Sequence, residues 1–98
     1  MEEDILVEQL KQINPQAIIL FGSAVSGRRS IDSDYDFLIK KDTNRSIADR
    51  IRDIHSVLKT TIPVDVIVVT PKEARDLPKK SVFFSQIFQE GRIVYGRI

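Results

Sequence analysis

Val64-Asp65-Val66-Ile67-Val68-Val69 is β-branched at every position but one, and so dense a run of Val and Ile reads as a strand. Thr70-Pro71-Lys72-Glu73 follows at once with a capping residue, Pro at the first helical position and Glu at the third, so a short helix starts there and Pro78 closes it. Upstream of Pro63, Ser46 with Asp49 three residues on marks another helix start, and Ile47, Ile51, Ile54 and Leu58 fall on one face. Earlier still, Ala17-Ile-Ile-Leu-Phe21 is a continuous apolar run ending at Gly22, the pattern of a central strand buried on both sides. Asp34-Tyr-Asp-Phe-Leu-Ile39 reads as a second strand. At the beginning of the chain, Ile5, Leu6, Leu10 and Ile13 recur at helical spacing until Asn14-Pro15. At the other end, Val82, Phe83, Phe84, Ile87 and Phe88 predict a last helix stopped by Gly91, with Arg92-Ile-Val-Tyr95 as an edge strand. Strands alternating with helices predict an α/β or α+β domain.

Ninety-eight residues are enough for one core, so a single domain over 1–98 is expected and any further substrate-binding lobe is expected from another chain. Fifteen basic against fourteen acidic residues leave a net charge of +1, which argues against nucleic acid as an electrostatic partner. With no Cys and one His, disulfide frameworks, thiolate zinc sites and Cys nucleophiles are all excluded. The opening Met1-Glu-Glu-Asp4 is acidic where a signal peptide is basic, and no apolar run approaches the ~18 residues that span a bilayer, so the expectation is a soluble cytoplasmic protein with no membrane partner.

Asp65 stands out because a charge inside a run of Val and Ile is costly unless paired or bound to metal. Asp34 and Asp36, two apart on a predicted strand, point to one side with Cα atoms ~6.5–7 Å apart, a spacing two carboxylates can use around a divalent metal. If the third strand neighbours the second, Asp65 lies ~5 Å away on the same side and completes a cluster of hard oxygen ligands suited to Mg²⁺ with substrate phosphates. Gly22-Ser23 ends the first strand, and ten residues separate it from Asp34. Gly22 lets backbone approach a ligand, and Ser23 offers a hydroxyl and an N–H for phosphate. Two other motifs fail on inspection. The glycine spacing Gly22 to Gly27 resembles a Walker A loop, but Arg28-Arg29 stands where Lys and Ser or Thr are required. Asp32, Asp34 and Asp36 imitate a calcium loop whose sixth position is Phe37 and whose twelfth is Thr43, neither of which fits.

Phe21-Gly-Ser23, Ser33-Asp-Tyr-Asp36 and Val64-Asp-Val66, with Glu90-Gly-Arg-Ile-Val-Tyr95 at the end, resemble the minimal nucleotidyltransferases of the DNA polymerase β-like superfamily over nearly the whole chain. The chain departs from many relatives at Ala24-Val-Ser26, where they carry arginine before the glycine matching Gly27. The resemblance implies a small mixed β-sheet flanked by helices. It implies catalytic and metal-ligating roles for Asp34, Asp36 and Asp65 around two Mg²⁺ ions, and nucleotide binding by Gly22, Ser23 and Arg28. Asp65 would help deprotonate the acceptor. The implied reaction moves NMP, AMP from ATP being the specific expectation, onto a hydroxyl of a partner protein, with the chain as antitoxin to a HEPN-type helical toxin in a hetero-oligomer or a homo-oligomer. Two rivals stand beside it: a non-catalytic antitoxin module that masks its partner, and a nucleotidyltransferase acting on a small molecule such as an aminoglycoside with a separate helical subunit.

Other residues have plainer readings. Asp32 and Ser33 suit a turn, and His55 a structural or solvent role. Arg45, Arg50 and Arg52 read as the wet side of their helix, and Phe83, Phe84 and Phe88 as core, the alternative being exposure of some of them to a partner.

Overall fold

The computed structural model describes residues 2–26 and 34–97. In chain order they form α1 (Glu2–Leu10), a 3-10 turn (Lys11–Ile13), β1 (Ala17–Phe21), α2 (Ser23–Ser26), β2 (Tyr35–Lys40), α3 (Ile47–Val57), β3 (Val64–Val69), α4 (Pro71–Lys80), α5 (Val82–Glu90) and β4 (Arg92–Gly96). The four strands make one mixed sheet in the order β3-β2-β1-β4, with β1 antiparallel to both its neighbours and β2 parallel to β3. The polypeptide between β2 and β3 passes through α3, as a parallel pair requires.

Both sides of the sheet are covered, which explains why β1 and β2 read as continuous apolar runs rather than alternating ones. Ile18, Leu20, Tyr35, Phe37 and Ile39 pack with Leu6, Val7 and Leu10 of α1 and Ile54 of α3. On the opposite side Ile19, Leu38 and Val69 pack with Ile87, and Ala74, Leu77, Phe84 and Phe88 of α4 and α5 close around them. Each such side chain, fully buried, contributes ~1.5–3 kcal/mol.

Several element boundaries differ from the sequence expectation for identifiable reasons. Asp34 precedes β2 instead of lying in it. The first helix tightens after Leu10 into its 3-10 turn, ended by Asn14 in the left-handed region at φ 58°, a conformation Asn tolerates better than most residues. Pro78 lies inside α4. Its ring removes one donor near the end of the helix, and the last turn still closes through the Ser81 N–H to Leu77 O at 2.9 Å. Ser81 then caps α5, its hydroxyl accepting from the Phe84 N–H at 3.4 Å, so a single residue joins the two helices.

The largest correction concerns α3. Its cap is as expected, the Ser46 hydroxyl accepting from the Asp49 N–H at 3.2 Å. Ile54 is buried, but Ile47 and Ile51 remain 68% and 47% exposed. The helix is rolled toward Arg50, which is not on the wet side: its side chain is only 11% exposed and donates to Glu73 Oε1 at 2.8 Å and to Val68 O at 3.2 Å. A guanidinium with two partly buried acceptors at the sheet edge outweighs the placement of two isoleucines near the helix start. Arg45 and Arg52 do lie outward, paired with Asp53 and Asp49, and His55 is exposed.

Candidate active site

Register places the acidic residues. In the β1–β2 ladder Phe21 faces Asp36, and in the parallel β2–β3 ladder Asp36 faces Asp65. Phe21, Asp36 and Asp65 therefore form one row across three strands, on the side that carries Leu38 and Ile67 further along. The adjacency that the sequence left conditional is present, and it brings Asp36 and Asp65 together.

Gly22 follows Phe21 with φ at 76°, which disfavours any other residue. A Cβ there would also strike the Asp36 carboxylate. The turn thus packs bare backbone directly against the Asp36 carboxylate at the mouth of the cleft. The Val25 N–H donates to Gly22 O at 3.1 Å, starting the short α2 directly at Ser23. Asp34 stands at the entry to β2, half-buried. Arg28, Asp32 and Ser33 lie outside the described residues.

The electrostatics agree with the geometry. The Asp36 carboxyl is pushed above its ordinary range first by burial, then by the negative charges of Asp65 and Asp34, and further by its hydrogen bond with Asp65. Two carboxyl groups that share a hydrogen bond are short of a cation. Among the described residues no three acidic or His side chains converge into a closed coordination group. The Asp36–Asp65 pair, with the charge of Asp34 felt beside it, fits Mg²⁺ all the same, because that ion keeps several of its sites for water and substrate phosphates and is held by as few as one or two carboxylates.

The row opens into a cleft of about 940 Å³ lined by Gly22, Ser23, Asp36 and Asp65 on the sheet side and by Phe83, Gln86, Ile87 and Glu90 of α5 opposite. Its size is that of a small-molecule site. Gly91 allows the wall to stand so close, since a Cβ there would come within 2.5 Å of Ile19 Cγ2 and of Ile87 O. The α5 wall is the part that sequence reasoning missed. Positions 83, 86, 87 and 90 follow helical spacing, and that signal was present, but Phe83 in an apolar helix reads as core. Instead it is 51% exposed, its ring perpendicular to Phe21 at 6.2 Å and to Phe84 at 5.3 Å.

Comparison with known proteins places this geometry in context. Residues 4–97 match the family described as polymerase beta, nucleotidyltransferase. No curated protein sequence matches significantly. Among solved structures, one described as "Crystal structure of the toxin-antitoxin with AMP-PNP" is similar in fold, with a TM-score of 0.66 at 20% identity over 99% of this chain and 75% of that one. No helix among the described residues is long and apolar enough to cross a membrane. With the family model spanning the sheet, the glycine turn and the paired aspartates alike, the chain belongs to the polymerase beta nucleotidyltransferase family.

Proposed function

We propose that this chain is a Mg²⁺-dependent nucleotidyltransferase that moves AMP from ATP to a hydroxyl of a partner protein, a HEPN-type helical toxin that the modification silences. The observation that carries the reading is the pairing of Asp36 with Asp65 across β2–β3, with Gly22 set against Asp36 at the head of one cleft. Family membership supports the reaction class. The toxin–antitoxin complex with a similar fold, solved with AMP-PNP, supports a partner protein and an adenine nucleotide.

Asp34, Asp36 and Asp65 would hold the metal, which supplies charge neutralisation at the phosphates and at the attacking oxygen. Gly22 and Ser23 offer backbone and hydroxyl to the phosphate chain, and Arg28 a positive charge. Asp65, exposed at the cleft, accepts the proton of the acceptor hydroxyl. The acceptor oxygen forms its bond to the α-phosphorus as the bond from that phosphorus to the β-phosphate oxygen breaks, and pyrophosphate departs with the electron pair. Positioning and charge stabilisation carry such a step.

The test incubates the chain with Mg²⁺, ATP labelled at the α-phosphate and a HEPN-type helical protein, sought first in the neighbouring reading frame. Label on that protein is expected from wild type. Asp65→Asn, which preserves shape while removing the base, is expected to keep the fold and lose transfer by roughly 10²–10⁴-fold. Neutralisation of the partner without label would replace the enzyme with a module that works by masking.

A further inference from the structure

On the proposed nucleotide site rests a second assignment, that of the nucleobase. The carboxylate row and Gly22 occupy one side of the cleft, and among the described residues that line it there Phe21 is the aromatic one. The opposite wall is different in kind. Phe83, Gln86 and Glu90 stand on successive turns of α5, with Ile87 beside Gln86 anchoring the helix at 4% exposure. Phe83 is exposed over half its surface while perpendicular contacts to Phe21 and Phe84 fix its ring. An aromatic ring that is braced but uncovered loses little freedom when a flat partner is laid on it. One turn on, the exposed Gln86 side chain offers an acceptor and two donors together, the pairing that an adenine edge complements.

We infer that the α5 wall is the nucleobase subsite of this cleft, Phe83 supplying the stacking surface and Gln86 hydrogen bonds to the base edge, adenine being the base that the ATP reading calls for. The apolar ring is thus explained by a ligand whose phosphates lie across the cleft at Gly22 and the aspartates. Continuity of the two ends within a single cleft of about 940 Å³ is the reason to assign one ligand to both.

The experiment uses the intact chain with Mg²⁺ and four probes, ATP, CTP, GTP and inorganic tripolyphosphate, titrated calorimetrically. Wild type is expected to bind ATP more tightly than CTP or GTP and to bind tripolyphosphate measurably. Phe83→Leu, which keeps apolar bulk, is expected to weaken ATP by roughly 10–100-fold and to leave tripolyphosphate unchanged, while Phe83→Tyr keeps wild-type affinity. Gln86→Ala is expected to erase the preference for ATP over CTP and GTP. Unchanged ATP binding in Phe83→Leu overturns the assignment, and so does an equal loss for ATP and tripolyphosphate, which would mean that the substitution disturbs the whole cleft. If wild type binds tripolyphosphate but shows no added affinity for any nucleotide, the base subsite fails and the phosphate site stands. If none of the four probes binds, the nucleotide reading itself is overturned together with this one.

Discussion

Asp36 and Phe37 are neighbours in sequence with opposite duties, and the strand keeps them apart. Asp36 faces the cleft with its carboxyl raised by burial and by two like charges, whereas Phe37 faces α1 and α3 with 0% exposure, its ring stacked at 6.2 Å from Tyr35. Removing the charge without changing the shape relieves repulsion, so Asp36→Asn is expected to raise the denaturant midpoint of the metal-free protein while abolishing AMP transfer. Phe37→Ala is expected to lower stability by ~3–5 kcal/mol through lost burial and the cavity left behind. Paired denaturation curves and transfer assays decide both; a destabilised Asp36→Asn would mean that its carboxyl holds the strand together. This alternation was legible in the sequence because period two in a strand is enforced by the backbone. Asp65 was legible for a related reason, since a charge amid valines has to be accounted for. Phe83 was not: an aromatic residue on an apolar helix satisfies the core pattern equally well whether a sheet or a ligand covers it.

At the scale of the element, α4 shows how much a short sequence signal can specify. The Thr70 hydroxyl accepts from the Glu73 N–H at 3.1 Å and Glu73 Oε1 accepts from the Thr70 N–H at 2.9 Å, the reciprocal capping arrangement that Thr-Pro-Lys-Glu announces. What the sequence withheld was the third participant, because the meeting of Arg50 with Glu73 depends on how α3 rolls against the sheet. Burial on its own would raise the Glu73 carboxyl, but the Thr70 backbone N–H and the Arg50 guanidinium together outweigh it and hold the carboxyl below its ordinary value of 4.5. A carboxyl lowered in the folded state stabilises it fully above the unfolded value, and that stabilisation fades as pH falls through the folded value. The stability difference between wild type and Glu73→Gln is therefore expected to be greatest near neutral pH and to shrink as pH falls below the ordinary carboxyl value of 4.5 and through the lowered folded-state one. Urea midpoints measured across that range check it; a difference independent of pH would remove the ion pair from the account.

For the molecule as a whole, the cleft is the place where stability and function meet. Like charges gathered at Asp34, Asp36 and Asp65 oppose the fold until a cation and a polyphosphate neutralise them, so Mg²⁺-ATP at a hundredfold excess over its Kd is expected to add ~2.7 kcal/mol, on the order of 10 °C in melting temperature for a chain this size. A melting scan with and without Mg²⁺-ATP reads this directly, and no shift at saturation would count against the site.

Arg50 has one further consequence. β3 is an outer strand, its inner side paired to β2, and Val69 O is taken by the Lys41 N–H at 2.8 Å. Carbonyls alternate in direction along a strand, so Val68 O points the other way, outward, toward whatever chain approaches. That is the oxygen Arg50 occupies. A Val-rich strand with bare carbonyls along its border is a template onto which another copy can zip, and here the border is plugged by a cation from a neighbouring helix near the end where it would otherwise be open. The side chain that fastens α3 to α4 around the sheet thereby also leaves that border one acceptor fewer to offer.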